Sequence, residues 1–94
     1  MRILWMPAAE QDAQELWDYI AERNPAAADR QVDRIHAGVK KLGRFPNIGR
    51  IGRCFGTREL VIGKSPYIVA YRLRHETVQI LRVIHAKRRW PGIL

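Results

Sequence analysis

Two stretches of this chain, Tyr67–Leu73 and Thr77–His85, are apolar at most positions. Each has the length of a strand. Gly63-Lys64-Ser65-Pro66 precedes the first as a turn, and Arg74-His75-Glu76 separates the two. So short a connection makes them antiparallel neighbours. Alternation then sets Ile68 and Ala70 against Val69 and Tyr71, and Ile80 and Ile84 against Leu81 and Val83. A sheet that is apolar on both faces must be covered on both. A chain built around these strands therefore needs two covering layers.

One layer is legible upstream. Ala8–Arg23 reads as a helix, with Ala9, Ala13, Leu16, Trp17 and Ile20 forming one apolar stripe. Glu10, Asp12, Glu15, Asp18 and Glu22 take the remaining positions. Asn24-Pro25 suits an N-cap followed by a first helical residue and starts a second helix, 25–42. Its seam is Val32, Ile35, Val39 and Leu42, and Gly43 stands where a helix stops. With almost no linker, the two helices form an antiparallel hairpin that covers one face. The other face falls to the C-terminal tail or to a partner chain.

The remaining pieces are short. Arg2–Met6 reads as a strand ended by Pro7, and Thr57–Ile62 as the first strand of a three-strand meander. Between helix and meander, GRFPNIGRIGRCFG reads as a loop with Phe45 and Ile48 tucked beneath it. Trp5, Trp17, Tyr19, Tyr67 and Tyr71 are assigned to the core or its margin, and Trp90, in the basic tail AKRRWPGIL, to a contact surface. At 94 residues, 1–94 is one domain. A single cysteine, Cys54, makes no internal bridge, so nothing requires an oxidising compartment. The start MRILWMPAAEQD lacks the pattern of a signal peptide, and no apolar run nears the ~20 residues of a membrane span. The expected location is the cytoplasm, with no membrane partner.

Charge narrows the function. The chain carries a net +8, from 17 basic and 9 acidic residues. The signs are segregated: residues 1–36 hold four arginines and seven acids, whereas 37–94 hold thirteen bases against Glu59 and Glu76 alone. A basic half of this kind points to a polyanion or an acidic protein. Arginine dominates, and its planar fork matches phosphate and carboxylate bidentately. Gly63-Lys64-Ser65 is not a phosphate loop, because Arg58 stands where that motif requires glycine. Cys54, His36, His75 and His85 lack metal-ligand spacing, so neither metal nor cofactor is expected. What remains is a basic cluster on and beyond the meander: Arg58, Arg72, Arg82, Lys87, Arg88 and Arg89, with Trp90. Were it to cleave RNA, Glu59 or His85 would be the acid or base and the arginines would hold the phosphate.

The order strand, helical hairpin, glycine–arginine loop, meander and basic tail resembles the RelE/ParE superfamily of bacterial toxins. The strings NPAAADRQVDRI, FPNIGR, GTRELVIGKSPYIVAYR and VQILRVIHAKRRWP carry the likeness over nearly the whole chain. It implies an α+β fold, β-α-α-β-β-β, with the hairpin packed on a small antiparallel sheet. It also implies a type II toxin neutralised by a small acidic antitoxin, in a toxin–antitoxin hetero-oligomer. The antitoxin surface is expected at Leu16, Tyr19, Ile20, Ile68, Ala70 and Ile80.

RelE-like members cleave mRNA on the ribosome; ParE-like members poison DNA gyrase. The RelE pattern is incomplete here, since Ile68 replaces a strand arginine and no tyrosine follows Tyr71. PYIVAYR and ILRVIHAKR stand closer to the ParE branch, with DNA gyrase as target and no intrinsic catalysis. The alternatives are a RelE-like endoribonuclease using Glu59, Arg72, His85 and Arg88, or a non-toxic polyanion-binding module. Alanine at Arg82, Lys87, Arg88 and Arg89 together is expected to weaken toxicity while the fold survives.

Overall fold

The computed structural model describes residues 1–94. Its elements are β1 (Arg2–Trp5), α1 (Pro7–Ala21), α2 (Pro25–Leu42), β2 (Arg50–Ile51), β3 (Arg58–Val61), β4 (Tyr67–Arg74) and β5 (Thr77–His85). Pro7 is the first residue of α1, where its missing N–H costs nothing. The Asn24 side chain accepts a hydrogen bond from the Ala27 N–H at 3.0 Å and so starts α2.

The strands form one five-stranded sheet in the order β1-β5-β4-β3-β2. The meander is antiparallel as expected. The sheet as a whole is mixed, because β1 runs parallel to β5. The helical hairpin between β1 and the meander is the crossover that permits this. The segment read as a plain loop contributes a further two-residue strand, β2, paired antiparallel with Arg58 and Glu59. Phe45 and Ile48 are not tucked under that loop; they are 53% and 50% exposed.

Both helices pack on one face of the sheet. The core there joins Ala9 and Leu16 of α1 and Ile35, Val39 and Leu42 of α2 to Val69, Tyr71, Val78, Ile80 and Val83. Tyr71 is fully buried. Its hydroxyl donates to the Pro46 carbonyl at 2.7 Å and accepts from the Gly49 N–H at 2.9 Å, pinning the loop to the core. Gly49 has to be glycine, because a Cβ there would lie 2.6 Å from the Tyr71 ring carbon Cε1. Tyr71→Phe strands the buried Gly49 N–H and the half-buried Pro46 carbonyl and is expected to cost about 1–3 kcal/mol, read as a lower midpoint in urea unfolding.

A bulge corrects the facial assignment. Ala70 stands opposite Arg82 but Tyr71 stands opposite Ile80, so Leu81 is an extra residue in β5. An extra residue inverts the alternation on one side of it. Ile80 therefore faces the helices, with Tyr71 and Val83, and not the opposite face with Ile84.

The opposite face is covered by the chain's own tail. Ile68, Ala70 and Ile84 are buried there. Trp90, Pro91 and Gly92 line a cleft with Ile84, and Ile93 and Leu94 reach Arg72 and the Cys54–Thr57 turn. The chain thus supplies both covering layers itself.

Candidate functional site

The sequence places the basic cluster on three strands and the tail; the fold sorts its members by what each touches. Arg58 is not part of a common surface. Its Nη1 donates to the Gly49 carbonyl at 2.7 Å and to the Asn47 carbonyl at 3.3 Å, so it braces the loop. Arg72 lies in the cleft under the chain end and donates its Nε to Gln79 at 2.6 Å.

Arg82 forms a two-pronged pair with Asp12 of α1, at 2.7 and 3.0 Å. The same carboxylate accepts the Val83 N–H at 2.9 Å. β1 ends its pairing with β5 at Ile80, so beyond that point the edge of β5 has no strand beside it. Asp12 closes that edge, and hydrogen bonding to Asp12 holds Arg82 firmly protonated. Asp12 stands outside the apolar stripe in the sequence, yet it is buried. The only sequence signal for this role is its position, three residues after Ala9 and four before Leu16 along the apolar stripe.

Glu59 is organised as a structural clamp. It is 3% exposed and lies on β3 opposite Ala70. Arg50 bonds one of its oxygens at 3.0 Å. Arg53 bonds the other twice, through its backbone N–H at 2.8 Å and its Nε at 3.0 Å. The Arg53 guanidinium in turn lies 3.7 Å from the centre of the Trp90 ring, a cation–π contact. Cys54 Sγ sits 3.6 Å from the Gly92 carbonyl. Glu59, Arg53 and Trp90 thereby fasten the tail to the sheet, and Trp90 packs against its own chain instead of standing free in a contact surface. Neither Arg50 nor Arg53 was assigned a role from sequence, where nothing links Arg53 to Trp90 thirty-seven residues later.

Burial pushes the Glu59 carboxyl up in pKa, but the hydrogen bonds from Arg53 and Arg50 outweigh it and leave the value lowered. A carboxyl with a depressed folded pKa stabilises the fold above its unfolded value. That contribution disappears as pH falls through the folded value. The clamp is therefore intact at neutral pH and is lost only in acid, below the ordinary carboxylate range. In urea titrations at several pH values, Glu59→Gln is expected to be less stable at pH 7 and to show a flatter acid limb.

The acid–base pair for RNA cleavage is not assembled. His85 stacks edge-on with Tyr67, centroids 5.5 Å apart, and lines a cleft with Leu16 and Tyr19 on the helical side. Glu59 lies on the other side of the sheet and is already saturated by two arginines. Of the four nuclease candidates, Arg72 and Glu59 share a face, while His85 faces away from them.

Lys87, Arg88 and Arg89 remain exposed beyond β5. None of the three forms a salt bridge with a carboxylate of this chain. A turn holds them in place: the Lys87 N–H donates to His85 Nδ1 at 3.1 Å, and the Arg88 N–H to the His85 carbonyl at 2.9 Å.

The expected antitoxin surface also divides. Tyr19 is 77% exposed, against its assignment to the core margin, and Ile20 is half-buried. Leu16 and Ile80 belong to the core, and Ile68 and Ala70 lie sealed on the tail side. Ile68, Ala70 and Ile80 have little surface to offer in this fold, whereas Leu16 lines the cleft beside Tyr19 and His85. No helix is long and apolar enough to cross a membrane.

Comparison with known proteins agrees with this architecture. Residues 3–90 match the family model described as the ParE toxin of the type II toxin–antitoxin system, parDE. The Sinorhizobium fredii protein named "Putative toxin Y4kP" is 43% identical over 93 residues, covering 99% of this chain and 96% of that protein. Toxin RelE2 of Caulobacter vibrioides is 32% identical over 87 residues, covering 93% and 97%. A solved structure titled as a chromosomal ParDE system from P. aeruginosa superposes with a TM-score of 0.81 at 27% identity, covering 90% of this chain and 95% of that one. The chain belongs to the ParE toxin family of type II toxin–antitoxin systems.

Proposed function

We propose that this toxin arrests growth by binding DNA gyrase, without catalysing a reaction of its own, and that a cognate acidic antitoxin neutralises it in the cytoplasm. The observation that carries this reading is the disposition of the charged groups. The only candidate general acid and base, Glu59 and His85, lie on opposite sides of the sheet. A proton-transfer catalyst needs both within hydrogen-bond reach of the reacting atoms. What the chain presents instead is a held, unpaired set of cations at Lys87, Arg88 and Arg89. Such a set suits an acidic protein surface, and Arg82, committed to Asp12, supports it from below. The ParDE name of a structural neighbour favours the same branch.

A second reading has its own support, since the Caulobacter relative carries a RelE name. It makes the same cations a cradle for ribosome-bound mRNA. Inducing the protein in a bacterial host separates the two when plasmid superhelicity and transcript integrity are followed in one culture. The gyrase reading predicts relaxed plasmid and intact transcripts while growth stops. Cleaved transcripts with normal superhelicity would replace it with the RelE-like reading.

A further inference from the structure

The chain carries a net +8, and its clefts reflect that charge. Arg88 lines the cleft beside Tyr19 and His85, and Arg82, Arg88 and Arg89 line the one beside Ile84. Arg72 and Arg74 line the cleft under the chain end, and Arg34 and Lys41 the groove between α2 and β3. A pocket of about 530 Å³ where β1, α1 and α2 meet breaks the pattern. Neither lysine nor arginine lines it, and its one carboxylate is Glu10. A pocket of that size holds a small molecule.

Its walls are aromatic. Trp5 comes from the end of β1, Trp17 from α1 and His36 from α2. Helical spacing brings the rest together. Glu10, Ala13 and Trp17 follow one another along one face of α1, and Val32 and His36 lie four residues apart on α2. Ala13 has only a methyl group to put into the space. Both indoles are held in place. Trp17 Nε1 donates to Asp29 Oδ1 at 2.9 Å, which ties α1 to α2 and polarises the ring towards a more negative face. Trp5 leans on His36, with centroids 5.1 Å apart and planes at 44°. Both tryptophans are half-buried, so each keeps accessible ring surface. Glu10 is exposed and forms no salt bridge.

We propose that this pocket binds a small organic cation with an alkylated ammonium head. The face of an aromatic ring is negative and attracts cations, tryptophan most strongly. Alkyl groups on the ammonium bury against the rings and against Val32, and they leave few N–H groups to be stranded without water. Glu10 supplies the counter-charge at the rim. The site is separate from the exposed cations at Lys87, Arg88 and Arg89, and does not depend on which macromolecule the toxin attacks.

The test uses the full chain, with choline as the probe. Dimethylbutanol, in which carbon replaces the ammonium nitrogen, is the uncharged control. Nuclear magnetic resonance follows the indole N–H signals of the three tryptophans. Trp90, packed on Arg53, serves as the internal reference. Choline is expected to shift Trp5 and Trp17 saturably, with a Kd of about millimolar or below, and to leave Trp90 in place. Dimethylbutanol is expected to bind about three- to tenfold more weakly. Glu10→Gln, an exposed change, is expected to raise the choline Kd about threefold or more at low salt, with the far-UV spectrum unchanged. Trp17→Leu keeps apolar bulk but removes the ring face, and is expected to remove the preference for choline over dimethylbutanol. No shift of Trp5 and Trp17 up to about 50 mM choline overturns the site. Equal affinity for the two probes, or a wild-type Kd in Glu10→Gln, overturns its selectivity for a cation.

Discussion

Val39→Asp leaves the chain without a cooperative unfolding transition. Val39 is 2% exposed and sits in the cluster that joins α2 to α1 and to the sheet. A carboxylate there meets Ile35, Leu42 and the inner face of the sheet, none of which offers a hydrogen bond. An unpaired buried charge costs several kcal/mol, and the lost valine burial adds about 1.5–3 kcal/mol. A domain of this size holds only about 5–14 kcal/mol in total. Leu16→Asp attacks the same interface from α1, where Leu16 is 7% exposed, and is expected to act in the same direction. Far-UV circular dichroism and urea titration check both. A soluble Val39→Asp protein with a wild-type transition would mean that the helical hairpin is not seated on the sheet.

Replacing Lys87, Arg88 and Arg89 with alanine together abolishes growth arrest at concentrations where the parent toxin acts. These cations are exposed and free of carboxylate partners in the chain, so their removal leaves the fold at wild-type stability. What is lost is attraction to an acidic target. Focused surface charge raises association rates roughly 10- to 1,000-fold, and the variant forfeits that range. Arg82 has to stay. The sequence expectation that it joins the other three in a folded variant is overturned by Asp12. Without Arg82 that buried carboxylate keeps only the Val83 N–H, and breaking such a pair costs about 3–5 kcal/mol. A quadruple variant would lose activity through unfolding, which says nothing about the contact surface. Plating efficiency on inducing medium, with soluble protein measured alongside, checks the triple variant.

The helical hairpin and the meander are legible in the sequence because each rests on local signals. Asn24-Pro25, the seam of α2 and the turn residues before Tyr67 and Thr77 all report within a few residues of themselves. The demand for two covering layers is legible as well, from strands apolar on both faces. What escapes is whatever depends on distant pairing. The bulge at Leu81 is a property of two strands in register, and it moves Ile80 from one face to the other. β2 is two residues long and exists only because Glu59 and Arg58 lie beside it. The Glu59–Arg53–Trp90 chain joins residues up to thirty-seven positions apart and turns an apparent contact residue into a packing residue. Asp12 and Arg82 lie seventy residues apart and convert one cation of the basic cluster into an edge closure. Charge counting finds the cluster, and only the fold shows which cations are free.

The most direct measurement is a supercoiling assay with purified toxin, DNA gyrase, ATP and relaxed plasmid, run in parallel with the Lys87, Arg88 and Arg89 triple variant. The expected result is loss of supercoiling and trapped cleaved DNA at stoichiometric wild-type toxin, relief by the antitoxin, and supercoiling restored with the triple variant. Full supercoiling in the presence of excess folded wild-type toxin would contradict gyrase as the target.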